Sequence, residues 1–310
     1  MESNKKKMQQ YIAGLDIGGT KIAIIVGDKK GNFYDRLEFS TKSQRLFLTV
    51  YKDIKHHLKK LLKKFPHTNS IGISIGGPLD SKKGIIKSPP NLPGWDNIPL
   101  KELLEKDFNI PSYIMHDAKT CVLAEWWFGA GRGCSNIIFL TFGTGIGCGI
   151  ICDGKLLGNI PGEVGHWGIG LENGPLIYGR NNAWEGVASG AGIKPLANLK
   201  YPSIFHKKTT AKDVIELAQK KIPEALEIIN MTSTYLGKGI AMLVDLFGSE
   251  RVILGSLAVR AKDLFLPKII EVFKQEVHPQ FKNYTLITQG KLGVKIGDYG
   301  ALCAAIYNLK

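Results

Sequence analysis

The first residues suited to chemistry are an aspartate and the glycine turn that follows it. Asp16 ends an apolar run and precedes Gly18, Gly19, Thr20 and Lys21. A carboxylate at such a position can hold Mg²⁺, directly or through water, while the hydroxyl and the ammonium group reach toward phosphate. The alternative is an aspartate that only caps the turn after a strand. The DxGGTK spacing therefore indicates a phosphate-binding turn, with Asp16 as the candidate magnesium ligand.

A second aspartate lies at the boundary between a predicted strand and a predicted helix. Asp117 follows an apolar strand and precedes the helical run AKTCVLAEWWFGAG. Aspartate is a common helix N-cap. The same position exposes a carboxylate that can take the proton from a hydroxyl as its oxygen attacks phosphorus. The two roles are compatible, so Asp117 is the candidate general base.

Three further polar residues are candidates for binding a polyhydroxylated substrate. Glu163 and His166 lie in GEVGH, a loop too rich in glycine to form a helix, and Glu185 begins a predicted helix. Carboxylate and imidazole groups can hold several sugar hydroxyls at once. The alternative for Glu163 and His166 is that they are solvated loop residues. The alternative for Glu185 is that it is an ordinary acidic residue in a first helical turn.

The elements that must position these residues include a glycine turn that occurs twice. Residues 12–31 and 137–156 align at an offset of 125, which pairs Leu15 with Leu140, Gly18 with Gly143, Ile25 with Ile150 and Asp28 with Asp153. Glycines let backbone N–H groups approach an anion, and two facing turns could grip one polyphosphate. Two ordinary β-hairpins are the alternative. The duplication favours a two-lobed, nucleotide-dependent phosphotransferase.

The order of the predicted elements repeats in the same way. Strands are predicted at 11–15, 22–26, 32–39, 71–75, 112–115, 137–141, 147–151 and 251–254. Helices are predicted at 46–65, 101–108, 118–128, 211–220, 224–246, 263–276 and 300–308. The proline-containing stretch 88–99 is predicted as loop, and a glycine-rich region extends to Gly192. Strands followed by helices, twice, predict two α/β lobes with a cleft between them.

Composition narrows the class of protein. The chain has 310 residues and a formal net charge of +14, with lysines on the solvated face of the helix predicted at 46–65. Aromatic residues are not interleaved with the basic ones, which argues against nucleic-acid binding, although a basic surface attracts anionic substrates. The five cysteines show no paired spacing, and no signal peptide or membrane span is apparent. We therefore expect free thiols and a cytoplasmic location.

Nine segments in order resemble the repressor–ORF–kinase (ROK) family of sugar kinases. In the first half they are LDIGGTK at 15–21, GGPLD at 76–80, PPNLPGW at 89–95, HDAKTCVLAE at 116–125 and FGTGIGCG at 142–149. The others are GEVGH at 162–166, WEGVASG at 184–190, VILGS at 252–256 and GDYGAL at 297–302. The resemblance covers nearly the whole chain from Tyr11 onward.

The resemblance implies an actin-like, ribonuclease H-like fold with ATP and Mg²⁺ bound in a central cleft. It implies one lobe formed by 1–117 with the C-terminal helix 298–310, and a second formed by 118–297. Asp16 would lie beside the metal, Gly18, Gly19 and Thr20 would form one phosphate loop, and Gly143, Thr144 and Gly145 the other. Gly255 would lie near the adenosine. The sugar contacts would be Asn91, His116, Asp117, Glu163, His166 and Glu185, with Asp117 as the catalytic base.

The implied activity is transfer of the γ-phosphate of ATP to a primary hydroxyl, O6, of a hexose in carbohydrate metabolism and glycolysis. Glucose is the default substrate, and fructose, mannose, allose or an N-acetylhexosamine are alternatives, as is polyphosphate as the donor. Family members often form homodimers or homotetramers. The family also includes sugar-responsive repressors. Those begin with a helix-turn-helix module, for which the ten residues before the first predicted strand are too few.

Two departures from the family pattern concern the site. The family commonly has a cysteine-rich zinc motif after GExGH, but residues 168–184 contain no cysteine. Since structural zinc needs about four nitrogen or sulfur ligands, we predict no zinc site, and this loop must be held by other contacts. The family usually has asparagine where this chain has His116. This difference either alters hydroxyl recognition or is a tolerated change that points away from the ligand.

Overall fold

The computed structural model describes residues 9–206 and 208–309, and its chain divides into two compact units. Unit 1 is formed by Met1–Ala124 with Lys295–Lys310, and unit 2 by Glu125–Val294. Among the described residues, no helix has the length and apolar character needed to cross a bilayer.

Unit 1 is an α/β unit built on a five-stranded sheet. The strands and helices up to its boundary are, in chain order, β1 (Tyr11–Ile17), β2 (Lys21–Gly27), β3 (Phe33–Ser40), α1 (Phe47–Lys64), β4 (Thr68–Ile75), β5 (Leu79–Asp80), β6 (Ile85–Ile86), α2 (Leu100–Phe108), β7 (Ser112–His116) and α3 (Asp117–Phe128). The sheet order is β3-β2-β1-β4-β7, with β1, β2 and β3 antiparallel and β1, β4 and β7 parallel.

Burial explains how these elements pack. Strand β2 is buried at every residue after Lys21, whereas β3 alternates between half-buried and exposed residues, as an edge strand does. Helix α1 buries one apolar stripe that includes Val50, Ile54 and Leu58, and its lysines lie on the other face, which confirms the predicted helix and its orientation.

The C-terminal helix α10 (Ile296–Asn308) returns to unit 1 and packs on its sheet. Its small side chains allow a close approach: a Cβ atom added to Gly14 would lie 3.0 Å from Ala301 Cβ. A Cβ atom added to Gly72 would lie 2.8 Å from the backbone nitrogen of Ala305. Glycines in β1 and β4 are therefore required by this helix.

Unit 2 repeats the same sheet. Its elements are β8 (Ile137–Leu140), β9 (Cys148–Cys152), β10 (Lys155–Leu156), α4 (Trp184–Ala188), α5 (Gly190–Lys200), α6 (Ala211–Gln219), α7 (Pro223–Phe247), β11 (Arg251–Leu254), α8 (Leu257–Arg260), α9 (Lys262–Glu276) and β12 (Leu286–Gln289). The order β10-β9-β8-β11-β12 has two antiparallel pairs of neighbours followed by two parallel pairs, the same pattern as in unit 1. The predicted duplication is therefore present at the level of topology.

Several elements were not predicted from the sequence. Strand β12 and the short helix α8 are among them, and α5 lies partly in the region predicted to be glycine-rich and irregular. Helix α5 contains Gly192 and Pro195, which conceal its helical pattern. It is capped at its start by Ser189, whose hydroxyl accepts a hydrogen bond from Gly192 N at 3.1 Å.

Candidate active site

The first glycine turn joins β1 to β2 and is closed by a hydrogen bond from Gly18 N to Lys21 O at 3.0 Å. A Cβ atom on Gly19 would lie 2.6 Å from the carbonyl oxygen of Asn91, so the loop at 88–99 packs directly on this turn. Thr20 and Lys21 are exposed. The Lys21 ammonium forms a 2.8 Å ion pair with Glu38 on β3, so the lysine predicted to reach phosphate already has a carboxylate partner.

The Asp16 carboxylate lies near the end of β1, just before this turn, and against the start of α10. A Cβ atom on Gly297 would overlap the Asp16 carboxylate. Desolvation, together with the negative charges of Asp298 and Asp117, raises the pKa of Asp16 to about 7, whereas Lys21 and Arg36 act in the opposite direction. A nearby cation would stabilise the charged form of a carboxylate in these surroundings.

Two further residues near Asp16, Asp298 and Arg36, were not predicted from the sequence. Asp298 is only 4% exposed, and Arg36 Nε donates a 2.7 Å hydrogen bond to its carboxylate. Arg36 also donates to Glu38 at 2.6 Å, and these two carboxylates raise the pKa of Arg36 above its ordinary value. The signal for Asp298 was available, because it lies in the GDYGAL segment at 297–302. Arg36 had no signal beyond its position on an edge strand.

Asp117 is the first residue of α3, directly after β7. Its Oδ1 atom accepts a hydrogen bond from Ala118 N at 2.6 Å and lies 3.0 Å from His116 Nδ1. Burial acts to raise the pKa of Asp117, but the interaction with His116 and the Ala118 hydrogen bond outweigh it, so the pKa is lowered. The side chain is 45% exposed. The carboxylate is thus ionised at neutral pH and accessible to solvent.

His116 contacts the neighbouring acid through its imidazole. Its Nδ1 atom also lies 3.2 Å from Ala118 N, so the ring lies against the first turn of α3. This contact with Asp117 explains one effect of the departure from asparagine: the imidazole helps to hold the Asp117 carboxylate in its charged form.

The second glycine turn joins β8 to β9 and is packed differently. Gly147 N donates to Thr141 Oγ1 at 2.6 Å. The carbonyl oxygens of Gly143 and Thr144 accept hydrogen bonds from the first two N–H groups of α5, at 2.7 and 3.0 Å. A Cβ atom on Gly143 would lie 2.9 Å from Ser256 Oγ.

Glu185 fills the space beside Gly145. A Cβ atom on Gly145 would lie 2.5 Å from Glu185 Oε2, and the same oxygen accepts a 2.7 Å hydrogen bond from Ile146 N. The other oxygen, Oε1, accepts a 2.6 Å hydrogen bond from the Tyr178 hydroxyl. The candidate sugar-binding carboxylate is therefore attached to the second glycine turn.

The GEVGH segment places His166 close to Glu185 through the same tyrosine. The His166 and Tyr178 rings stack with centroids 3.7 Å apart and an angle of 16° between their planes. Glu163 is exposed and precedes the short turn that ends at His166. Unit 2 thus gathers His166 and Glu185, whereas Asn91, His116 and Asp117 belong to unit 1.

Gly255, predicted to lie near an adenosine, follows β11 and is buried. Its N–H group donates to Leu140 O at 2.9 Å, and a Cβ atom would lie 2.9 Å from the Phe139 ring. Packing against β8 alone is enough to require glycine here.

The donor atoms around Asp16 suit a hard cation. Within the described ranges, no cluster of three or more histidine, cysteine, aspartate or glutamate side chains is arranged to hold a metal. Mg²⁺ is usually bound through one or two carboxylates together with water and phosphate oxygens, a requirement that Asp16 and its neighbourhood fit. The prediction that the chain has no zinc site stays a prediction.

Comparison with known proteins gives the family. The ROK family model matches residues 12–307. A glucokinase from Halalkalibacterium halodurans is 30% identical over 311 residues, which cover 94% of this chain and 93% of that protein. A xylose repressor from Caldicellulosiruptor bescii is 30% identical over 284 residues, covering 85% of this chain and 70% of the repressor.

A solved structure agrees with this assignment. The crystal structure of a ROK family glucokinase from Streptomyces griseus in complex with glucose and AMPPNP has a TM-score of 0.77 at 27% identity. The match covers 94% of this chain and 98% of that chain. The fold predicted from the motifs, the actin-like ATPase fold of ROK kinases, is confirmed. The chain belongs to the ROK family.

Proposed function

We propose that this protein is a sugar kinase that transfers the γ-phosphate of ATP to a primary hydroxyl of a hexose, O6 of glucose being the first choice. The observation that carries the proposal is the ionised, half-exposed carboxylate of Asp117 at the junction of β7 and α3, in the same unit as the partly buried Asp16. The similarity to two glucokinases supports the choice of glucose.

In this proposal Asp117 accepts the proton of the attacking hydroxyl as the oxygen–phosphorus bond forms and the bond to the departing ADP oxygen breaks. Its lowered pKa keeps the carboxylate free to accept that proton at neutral pH. Asn91, His116, Glu163, His166 and Glu185 are the proposed sugar contacts.

The nucleotide is assigned to both glycine turns. Gly18, Gly19, Thr20 and Lys21 are proposed phosphate contacts, as are Gly143, Thr144 and Gly145, and Gly255 is proposed to lie near the adenosine. Asp16 is the proposed ligand of the Mg²⁺ that accompanies the nucleotide, and the bound cation would supply charge neutralisation at the phosphoryl oxygens. A cytoplasmic location fits the cysteines, because all five are free thiols.

A second function is a sugar-responsive regulator without catalysis, which the similarity to a xylose repressor supports. The two proposals differ in turnover. A regulator would bind a sugar but would have no need of an ionised Asp117 beside a partly buried Asp16.

The test is a coupled assay of ADP release across glucose, fructose, mannose, allose, N-acetylglucosamine and N-acetylmannosamine, with inorganic polyphosphate as an alternative donor. We expect ATP-dependent turnover with at least one hexose. Sugar binding measured by calorimetry without turnover for any donor would overturn the kinase proposal and favour the regulator.

A further inference from the structure

A two-residue hairpin turn holds Tyr178 in an unusual backbone conformation. Ile177 N donates to Arg180 O at 3.0 Å, and Arg180 N donates to Ile177 O at 3.1 Å. Tyr178 and Gly179 occupy the two central positions with φ values of 56° and 73°. Such turns require positive φ at both positions and favour asparagine or aspartate followed by glycine. A tyrosine at the first position costs about 1 kcal/mol in backbone energy.

The Tyr178 side chain makes two contacts that asparagine could not make together. Its hydroxyl donates the 2.6 Å hydrogen bond to Glu185 Oε1, and its ring stacks on the His166 imidazole at 3.7 Å. The hairpin adds a third contact, because Arg180 donates a 3.1 Å hydrogen bond to the His166 carbonyl oxygen. Two of the three predicted sugar contacts of unit 2, His166 and Glu185, are therefore both held by this one turn.

Glu185 depends on this arrangement because its immediate surroundings otherwise consist largely of backbone. Ile146 N donates to Oε2, and Gly145 and Gly165 lie against the carboxylate without side chains. Among the ion pairs of the described part of the chain, none involves Glu185. The Tyr178 hydroxyl is the side-chain donor that fixes the second carboxylate oxygen.

We propose that Tyr178 is a positioning residue that sets the orientation of Glu185 and His166 and thereby the affinity for the sugar. This inference rests on the proposed sugar kinase function, because that function makes Glu185 and His166 sugar contacts. Tyr178 acts through these two residues. It also supplies two of the contacts that hold the loop at 168–184.

The hydroxyl stays a donor throughout the useful pH range. Burial raises the pKa of Tyr178 above its ordinary value, and the hydrogen bond to Glu185 raises it further. Tyr178 therefore contributes no ionisation of its own near neutral pH, and removing its hydroxyl should leave the pH profile of kcat unchanged.

The test compares three substitutions at this position with a matched control. Tyr178→Phe removes only the hydroxyl and should raise the KM for the sugar about tenfold, the usual effect of one hydrogen bond to a charged group. The KM for ATP should stay within about twofold. Tyr178→Leu also removes the stacked ring and should raise the sugar KM further. Tyr284→Phe, on an exposed tyrosine of the same unit, should change neither constant.

Tyr178→Asn separates positioning from stability. Asparagine suits the left-handed position, so the variant should unfold at the same temperature as the wild type or higher, yet it should bind sugar at least tenfold more weakly. A Tyr178→Asn or Tyr178→Phe protein with wild-type sugar KM would overturn the inference.

The wild type in the same assay separates this inference from the proposed function. Wild-type turnover with unchanged variants overturns only the role of Tyr178. If the wild type binds sugar without turnover, the kinase proposal fails, and the sugar Kd of each variant from calorimetry tests Tyr178 instead. A wild type that neither binds nor phosphorylates any sugar overturns both.

Discussion

The two units share one sheet topology but differ in what lies at the ends of their strands. At the end of β1 stands Asp16, a partly buried carboxylate with a pKa raised to about 7, whereas the matching position after β8 is Thr141. At the end of β7 stands Asp117, whereas β12 is followed by Gly290. The same sheet topology therefore places acidic side chains at the strand ends of unit 1. In unit 2 it places backbone groups there, together with a glycine turn that the Glu185 carboxylate holds.

The glycines of the two turns also serve different neighbours. Position 19 requires glycine because the backbone of Asn91 packs on Gly19. Position 145 requires glycine because the Glu185 side chain packs on Gly145. Backbone cannot move aside easily, but a side chain can. The difference shows that similar glycine motifs need not have the same physical cause.

Replacing Asp117 is the strongest test of the role of the acids at the strand ends of unit 1. Asp117→Asn removes the proton acceptor, and we expect kcat to fall about 10³-fold while sugar still binds. Calorimetric sugar titration and the coupled assay measure the two effects separately. Asp107→Asn, which changes an aspartate bonded to Tyr51 and Lys55 in the same unit, is the control. Near-normal turnover of Asp117→Asn would remove the residue as the base.

Replacing Asp16 should separate function from stability. Because the folded-state pKa is raised from 3.8 to about 7, the folded protein binds this proton more tightly than the unfolded chain does. The charge on Asp16 therefore lowers the free energy of unfolding. This loss of stability is absent below about pH 4 and grows until about pH 7. Asp16→Asn should remove turnover.

At pH 8 the same substitution should raise the free energy of unfolding by at most about 4 kcal/mol. At pH 4 it should change the free energy of unfolding little. Denaturant titration at both pH values, without metal or nucleotide, measures the change. A stability difference between mutant and wild type that does not change between the two pH values would contradict the raised pKa.

Alanine in each glycine turn tests the difference between the turns. Gly19→Ala meets the Asn91 backbone and should cost about 1–3 kcal/mol of stability and raise the KM for ATP. Gly145→Ala displaces the Glu185 carboxylate and should raise the KM for the sugar as well.

A double-mutant cycle sharpens this test. In a Glu185→Ala background, the effect of Gly145→Ala on sugar KM should largely disappear, because the side chain it displaces is gone. Additive effects would mean that the two residues act independently.

The smallest expected effect concerns Thr141, the counterpart of Asp16. Thr141→Val removes the hydroxyl that accepts the Gly147 N–H group and should lower the free energy of unfolding by about 1 kcal/mol, with turnover nearly unchanged. Thermal unfolding of the Thr141→Val and Asp16→Asn proteins gives the comparison, because the two substitutions at matched positions should shift stability in opposite directions at pH 8. A shift in the same direction would contradict the unequal roles of the two strand ends.

Much of the fold could be predicted because the apolar patterns are strong. The hairpins, the amphipathic α1 and the helices α6, α7 and α9 follow from the spacing of apolar residues. The offset of 125 matches β1 to β8, but Leu15 pairs with Ile24 while Leu140 pairs with Cys148, so the second strands correspond at an offset of 124. Strand pairing is fixed by turn length and tertiary contacts, which a sequence alignment does not contain.

The sequence by itself determined the duplicated glycine turns, the aspartates at two strand ends and the loop without cysteines, because residue type and local spacing are written directly in the chain. Only the tertiary structure decided that Lys21 is paired with Glu38, that Asp298 and Arg36 surround Asp16, and that Tyr178 links His166 to Glu185. These contacts join residues from separate elements, and burial and electrostatics act through space, so no local pattern could have revealed them.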